Sequence, residues 1–112
     1  MIFYIAGPMS GLPGYNREAF MDAAGLLRTC GHTVLNPATL PVLPEDKYLP
    51  ICTAMIDAAD AIYLLDGWPK SLGARCERLY AKRQGKLELT EKDIKIRIKQ
   101  EKRKEESNGN EQ

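Results

Sequence analysis

The segment Ser71-Leu-Gly-Ala-Arg-Cys-Glu77 joins a strand-like apolar run, Ala61 to Leu65, to a helical pattern that extends from Arg75 to Arg83. A serine and a glycine at such a junction expose backbone N–H groups, and the positive end of the helix dipole favours an anion such as phosphate. Glu77 falls in the first turn or so of the helix, where the dipole also favours an ionised carboxylate. The segment is therefore typical either of a binding site or of a capped helix with a solvated glutamate.

A second loop of unusual composition follows the first predicted strand. Ile2 to Ala6 is a nearly continuous apolar run, as expected for a strand buried on both faces of a parallel sheet. It is followed by Gly7-Pro-Met-Ser-Gly-Leu-Pro-Gly14, whose glycines allow the backbone to approach a ligand closely. This loop matches neither a Walker A motif nor a dinucleotide fingerprint. Because ligands bind at the carboxyl edge of open α/β sheets, we expect this loop and the Ser71–Glu77 segment to form one cleft.

Helical and strand patterns alternate along the rest of the chain, which predicts an α/β fold with a parallel sheet. The first of these elements are a helix from Arg17 to Cys30, capped by Asn16, and a strand from His32 to Asn36. An ordered, proline-containing loop from Asn36 to Pro50 follows, which we expect to form a lid or a substrate wall. The last elements are a helix from Tyr48 to Asp60, with Ile51, Met55 and Ala58 pointing inward, and an edge strand from Leu87 to Leu89.

The length of 112 residues fits one domain with one site. We assign residues 1–90 to this domain and residues 91–112 to a charged, mobile C-terminal tail. At the start of the tail the sequence supports two structures. Thr90 with an acidic residue three positions later resembles a helix start, whereas Ile94, Ile96 and Ile98 alternate as in a strand.

Composition argues against several classes of protein. Sixteen Lys and Arg residues against 15 Asp and Glu give a net charge of +1, so we expect no binding to nucleic acid. The three cysteines, at positions 30, 52 and 76, have neither zinc-site spacing nor the even number of a disulfide framework. They indicate reduced thiols in a cytoplasmic protein. We find no signal peptide and no membrane span, and we predict no metal and no cofactor.

Four blocks of sequence, in this order and spacing, resemble the nucleoside 2-deoxyribosyltransferase-like superfamily, and most closely its small members from phages and prophages. The resemblance covers residues 2 to 89. The blocks are Tyr4-Ile-Ala-Gly-Pro-Met-Ser-Gly11, Gly31-His-Thr-Val-Leu-Asn-Pro37, Ala59-Asp-Ala-Ile-Tyr-Leu-Leu-Asp-Gly-Trp68 and Ser71-Leu-Gly-Ala-Arg-Cys-Glu77 with Tyr80-Ala81 and Gly85-Lys86.

The resemblance implies a three-layer, flavodoxin-like α/β sandwich with about five parallel strands, assembled as a homodimer or a higher homo-oligomer. Active members cleave the N-glycosidic bond of deoxynucleosides or their 5′-monophosphates, and the residue that matches their catalytic glutamate is Glu77. Its carboxylate would attack the anomeric carbon as in retaining glycoside chemistry. Tyr4 matches an aromatic residue beside the sugar. The residues implied to bind substrate or phosphate are Gly7, Pro8, Met9, Ser10, Gly11, Ser71 and Gly73.

One position departs from the pattern of the active members. They carry a second acid one helix upstream, and this chain has Cys52 there, although a thiol does not readily replace a carboxylate at neutral pH. Asp57 lies over a turn further along the same helix and is the candidate for that acid. Three functions therefore stay open: an N-glycosidase or transferase, a catalytically silent nucleotide sensor or sequestering module, and an interaction protein whose charged tail contacts a partner. Tyr15 and Trp68 are compatible with packing or with stacking on a base.

Overall fold

The computed structural model describes the backbone of residues 1–110 and the side chains of residues 1–106. Strands and helices alternate within that part of the chain. The strands are β1 (Ile2–Ala6), β2 (Thr33–Leu35), β3 (Ala61–Leu64) and β4 (Leu87–Thr90), and the α-helices are α1 (Arg17–Thr29), α2 (Glu45–Ala58), α3 (Leu72–Arg83) and α4 (Glu91–Asn110). Short 3-10 helices lie in the connections at Pro13–Asn16, Pro37–Thr39 and Trp68–Lys70.

The strands form one parallel sheet in the order β2-β1-β3-β4. Tyr4 in β1 lies opposite Leu35 in β2 and Ile62 in β3. The predicted α/β fold with a parallel sheet is confirmed, with four strands among residues 1–110 where about five were expected. After β2 the chain crosses back to add β3 on the other side of β1. The carboxyl ends of β1 and β3 therefore flank the topological switch point, where open α/β sheets bind their ligands.

Helices cover both faces of the sheet and give the expected three layers. Phe3 and Ile5 pack towards α1, whereas Tyr4 and Ala6, which alternate with them, pack towards α2 and α3. Ile94 of α4 packs against the same cluster as α1, so that α4 lies on the α1 face. Burial on both faces explains why β1 and β3 read as continuous apolar runs.

Two helices begin earlier than predicted. Helix α3 starts at Leu72 rather than near Arg75, and α2 starts at Glu45 rather than Tyr48 and contains Pro50 in its interior. The inward face of α2 also differs from the prediction, because its buried side chains are those of Cys52 and Ile56. Both faces of α2 are apolar, and hydrophobicity alone therefore does not fix its rotation. Of the three residues predicted to point inward, Met55 is half-buried and packs against the cluster that contains Cys52 and Ile56, Ile51 is half-buried, and Ala58 is exposed.

The chain after β4 forms a helix rather than a strand. The Asp93 N–H donates a hydrogen bond of 3.1 Å to Thr90 Oγ1, as at a capped helix start. Ile94 packs against the core, whereas Ile96 is 47 % exposed, so the alternating isoleucines do not form one face of a strand. The mobility expected of residues 91–112 stays a prediction, and Glu111 and Gln112 lie outside the described residues. No helix within residues 1–110 has the length and apolar character needed to cross a bilayer.

Candidate functional site

A cavity of about 500 Å³ opens at the carboxyl end of β1. Its wall consists of the end of β1 with the following loop, the start of α1, parts of residues 37–48, one further position on α2, and the first turns of α3. Two predicted site residues, Gly11 and Asp57, are not among the lining residues. The predicted site residues that do line it are Tyr4, Gly7, Pro8, Met9, Ser10, Ser71, Gly73 and Glu77.

The loop after β1 is held close to the end of β3. A Cβ atom on Gly7 would lie 2.8 Å from Leu65 Cβ, closer than packed atoms allow, so only glycine fits there without a shift. Asn16 Nδ2 donates a hydrogen bond of 2.9 Å to the Pro8 carbonyl and so fixes the middle of the loop. The predicted capping of α1 by the Asn16 side chain is wrong, because this amide is turned to the loop and the residue has a positive φ of 60°.

The start of α3 presents backbone donors to the cavity. Ser71 is the N-cap residue, and its Oγ accepts a hydrogen bond of 3.2 Å from the Ala74 N–H. The N–H groups of Leu72 and Gly73 belong to the first turn, which has no intrahelical acceptors. A Cβ atom on Gly73 would meet nothing closer than Ser71 Oγ at 3.9 Å, so packing in the described structure does not demand glycine there. Together with the helix dipole, these donors suit an anionic group of a ligand.

Glu77 projects its carboxyl group from the second turn of α3 towards Tyr4 of β1. Its Oε2 atom and the Tyr4 hydroxyl are buried, and neither has a hydrogen-bond partner among the described residues. Burial raises the pKa of Glu77 to about 7, and the nearby Tyr4 hydroxyl opposes part of that rise. Burial, followed by the Glu77 charge, raises the pKa of Tyr4 well above its ordinary value. The two groups thus approach each other without a well-formed hydrogen bond, and both retain polar atoms that a ligand can satisfy.

Cys52 of α2 completes this cluster. Its side chain lines the cavity, and the residue is 7 % exposed. Burial raises the pKa of the Cys52 thiol, and the charge of Glu77 acts in the same direction. The thiol is therefore protonated at neutral pH beside Tyr4 and Glu77. The position at which the resemblance predicts a second acid is indeed part of the cavity, but it carries a weak acid.

Asp57 lies apart from this cluster. The Tyr80 hydroxyl donates a hydrogen bond of 2.6 Å to Asp57 Oδ1, and Lys86 Nζ donates one of 3.0 Å to the Asp57 carbonyl oxygen. Both bonds are at the exposed surface. Asp57 is five residues after Cys52, which turns it about 140° around the helix axis. The structure therefore does not bring Asp57 to Glu77.

A family model matches most of the chain. The model, described as Domain of unknown function (DUF4406), covers residues 1–89. The chain belongs to the DUF4406 family. This family is part of the nucleoside 2-deoxyribosyltransferase-like clade, and the superfamily predicted from the four sequence blocks is thereby confirmed.

A solved structure similar to this DUF4406 protein is a 2-desoxiribosyltransferase from Leishmania mexicana. The two share 25 % sequence identity and superpose with a TM-score of 0.66 over 80 % of the present chain. The DUF4406 chain spans 62 % of the length of the Leishmania protein. No curated protein matches the sequence.

Several residues that line the cavity of the DUF4406 protein were not predicted as site residues from the sequence. Arg17 and Lys70 add positive charge and Glu45 adds negative charge. Lys70 could have been predicted as a site residue from the sequence, since it directly precedes the helix-capping Ser71. Tyr15 also lines the cavity, whereas Trp68 does not and lies under the Arg78 guanidinium group at 5.0 Å from the ring centroid. The segment from Asn36 to Pro50, predicted to form a lid or a substrate wall, supplies part of the cavity lining, which includes Leu40, Val42, Leu43 and Tyr48. The other unpredicted lining residues are apolar, namely Ile5, Ala6, Phe20, Leu72 and Ala74.

Proposed function

We propose that this DUF4406 protein binds a deoxynucleoside 5′-monophosphate and cleaves its N-glycosidic bond with Glu77 as the nucleophile. One observation carries the proposal: Glu77 lines a ligand-sized cavity at the switch point of the sheet, and one of its carboxyl oxygens is buried without a hydrogen-bond partner among the described residues. Strongly perturbed acids in clefts are typical of catalytic sites. The similarity to a deoxyribosyltransferase supports chemistry on a nucleoside.

The cavity offers separate subsites for the parts of such a ligand. The 5′-phosphate would accept hydrogen bonds from the Leu72 and Gly73 N–H groups at the start of α3, with Lys70 nearby to balance its charge. Glu77 is five residues beyond Leu72, or about 7.5 Å along the helix axis. With that separation the sugar would lie between the phosphate and the carboxylate, with its anomeric carbon towards Glu77.

The reaction would proceed in two displacements. The ionised Glu77 oxygen attacks the anomeric carbon, the carbon–nitrogen bond breaks, and the base leaves with the electron pair and takes a proton from water. The products of this step are the free base and a glycosyl ester on Glu77. Water then attacks the same carbon, releases 2-deoxyribose 5-phosphate, loses a proton to solvent and restores the carboxylate. A transferase would use a second base in place of this water.

Tyr4 supports these steps as a neutral hydrogen-bond donor. Because its pKa is well above 10, the hydroxyl keeps its proton at neutral pH and orients the Glu77 carboxylate. The pKa of Glu77 near 7 leaves a substantial ionised fraction at that pH. Turnover should therefore rise with pH through about 7 and then level off.

The test is a panel of the four common deoxynucleoside 5′-monophosphates, with free base and sugar phosphate both measured by chromatography. We expect equimolar release of the two products from at least one nucleotide, and weaker turnover of the matching nucleoside without phosphate. Calorimetry on the same panel measures binding separately. If no nucleotide is bound or cleaved, the proposed function is wrong.

Cys52 favours a second candidate, a nucleotide-binding module without turnover. A protonated thiol beside Glu77 is a weaker acid than the carboxyl group of the active members. For this candidate, calorimetry would detect binding while chromatography detects no free base. Cys52→Asp would then create measurable base release near pH 7, where Glu77 is partly ionised and a carboxyl group beside it can hold a proton and supply it to the leaving base. Base release by the unmodified protein would exclude this second function.

A further inference from the structure

The connection before α2 forms one wall of the cavity without regular secondary structure. Residues 40–44, here called the proline wall, contain Pro41 and Pro44 and place Leu40, Val42 and Leu43 on the cavity. Val42 is 68 % exposed, so burial in the core does not hold this part of the wall in place. Its position must come from other contacts.

The hydroxyl group of Tyr48 supplies such contacts. It accepts a hydrogen bond of 2.9 Å from the Leu43 N–H and donates one of 2.8 Å to the Pro41 carbonyl. One side-chain atom thus joins the backbone on both sides of Val42. Tyr48 belongs to the first turns of α2 and also packs against the cluster that contains Tyr4 and Ile56. This hydroxyl group therefore fastens the middle of the proline wall to α2, while Leu40 packs against the same cluster and the Pro44 carbonyl accepts a hydrogen bond of 2.9 Å from the Lys47 N–H.

The chemistry of the proline wall indicates which part of a ligand it contacts. Its cavity-lining side chains are those of leucine and valine, which suit a planar apolar surface and not a phosphate. The backbone donors for an anion lie elsewhere, at the start of α3. Tyr48 precedes Cys52 by one helical turn on the same face of α2, and both residues line the cavity, so the wall adjoins the part of the cavity that Cys52 lines.

We propose that Tyr48 is a positioning residue for base recognition, since its hydroxyl group holds the proline wall against the nucleobase. This inference rests on the proposed function, because it takes the ligand to be a nucleotide. The wall adds affinity for the base and makes no contact with the sugar phosphate. Loss of the hydroxyl group should thus weaken nucleotide binding selectively.

The experiment compares Tyr48→Phe with the unmodified protein for two ligands, a deoxynucleoside 5′-monophosphate and 2-deoxyribose 5-phosphate, which lacks a base. Calorimetry measures both dissociation constants, and chromatography measures KM and kcat for the nucleotide. We expect the nucleotide dissociation constant and KM to rise on the order of tenfold, as for the loss of one or two hydrogen bonds. The dissociation constant of 2-deoxyribose 5-phosphate should stay within about twofold, because the first turn of α3 is unchanged.

Two further variants separate positioning from a general effect on folding. Tyr80→Phe also removes a hydrogen-bonding tyrosine hydroxyl, but outside the cavity lining, and should change neither dissociation constant. Val42→Asn changes the proline wall itself at an exposed residue and should repeat the selective loss without affecting the fold. If Tyr48→Phe fails to fold, the two dissociation constants of Val42→Asn decide whether the proline wall recognises the base.

The outcomes are distinct. Equal weakening of both ligands, or no weakening of either, in Tyr48→Phe and Val42→Asn would overturn the role of the proline wall and leave the proposed function intact. If the unmodified protein binds 2-deoxyribose 5-phosphate and nucleotide equally well, the base is not recognised and the inference is again wrong. If it binds neither, the proposed function fails, and the inference fails with it.

Discussion

Two tyrosines of this protein each lie beside a carboxyl group, and the two pairs differ in burial and in hydrogen bonding. Tyr80 and Asp57 join α3 to α2 at the exposed surface through a hydrogen bond of 2.6 Å. Tyr4 and Glu77 lie between β1 and α3 beside the cavity, with a buried hydroxyl group and a buried carboxyl oxygen that have no partner within the described residues. Similar side chains thus occur once in a satisfied pair and once in an unsatisfied pair.

The difference shows how the environment assigns a role to a carboxyl group. In the surface pair, the hydrogen bond and water satisfy both groups, and the hydrogen bond to Asp57 raises the pKa of Tyr80. In the buried pair, desolvation disfavours the charge on Glu77, and no strong partner offsets it. A carboxyl group that is desolvated, lacks a strong partner and lies beside a cavity is suited to react with a ligand or to bind one. We expect substitutions to affect function in the buried pair and only the helix contact in the surface pair.

The largest effect should come from removing the two carboxylates in turn. Glu77→Gln keeps the shape of the side chain but not the nucleophile, and we expect it to reduce base release by at least about a thousandfold. Asp57→Asn should change base release by less than about twofold, since Asp57 does not line the cavity. Chromatographic assays of both variants measure these effects. Equal losses in the two variants would mean that the buried pair has no special role.

The pH dependence of stability provides a second large difference. The Glu77 pKa of about 7 in the folded protein is above its ordinary value of 4.5, so folding favours the protonated form. The resulting stabilisation is complete below pH 4.5 and is lost as the pH rises through 7. Relative to Glu77→Gln, the unmodified protein should lose about 2–3 kcal/mol of unfolding free energy over this interval. Urea unfolding at pH 4.5 and pH 8 measures the change, and parallel curves for the two proteins would contradict it.

The fold was largely predictable because a strand that is buried on both faces of a sheet has a continuous apolar sequence. The runs Ile2–Ala6 and Ala61–Leu65 have few polar residues, and each precedes a loop and a helix, which is enough to predict a parallel α/β sheet. The rotation of α2 was not predictable, because Ile51 is as apolar as the buried Ile56 and yet is only half-buried, whereas Cys52 is buried. Packing of α2 against the sheet, and not residue hydrophobicity, sets that rotation.

The candidate site was predictable in part for a similar reason. Spacing along one helix places Ser71 and Glu77 on the same cavity, and the strand position of Tyr4 places it beside them. Asp57 was proposed on nearness in sequence, but a helix turns a residue five positions away to another face. The link from Tyr48 to the Pro41–Leu43 backbone depends on the path of an irregular segment, for which the sequence has no periodic signal. The homo-oligomeric state and cytoplasmic location stay predictions.

Tyr4→Phe should give an intermediate effect that appears in the pH profile. The Tyr4 hydroxyl lowers the pKa of Glu77, so its removal should move the midpoint of the turnover profile above about 7. We expect turnover at pH 7 to fall by about ten- to a hundredfold. Stability should change little, since the hydroxyl group makes no hydrogen bond of good geometry among the described residues. A lower kcat at every pH with an unmoved midpoint would show that Tyr4 does not act through the ionisation of Glu77.

The smallest effect is expected from Tyr80→Phe. This change removes the hydrogen bond to Asp57 that joins α3, which carries Glu77, to α2, which carries Cys52. Because the bond lies at the surface, water replaces the lost partner, and the melting temperature should fall by a few degrees at most. Turnover and its pH midpoint should stay unchanged, in contrast to Tyr4→Phe. If Tyr80→Phe instead lowers turnover without lowering the melting temperature, the surface pair sets the distance between Cys52 and Glu77, and the two pairs act as one unit.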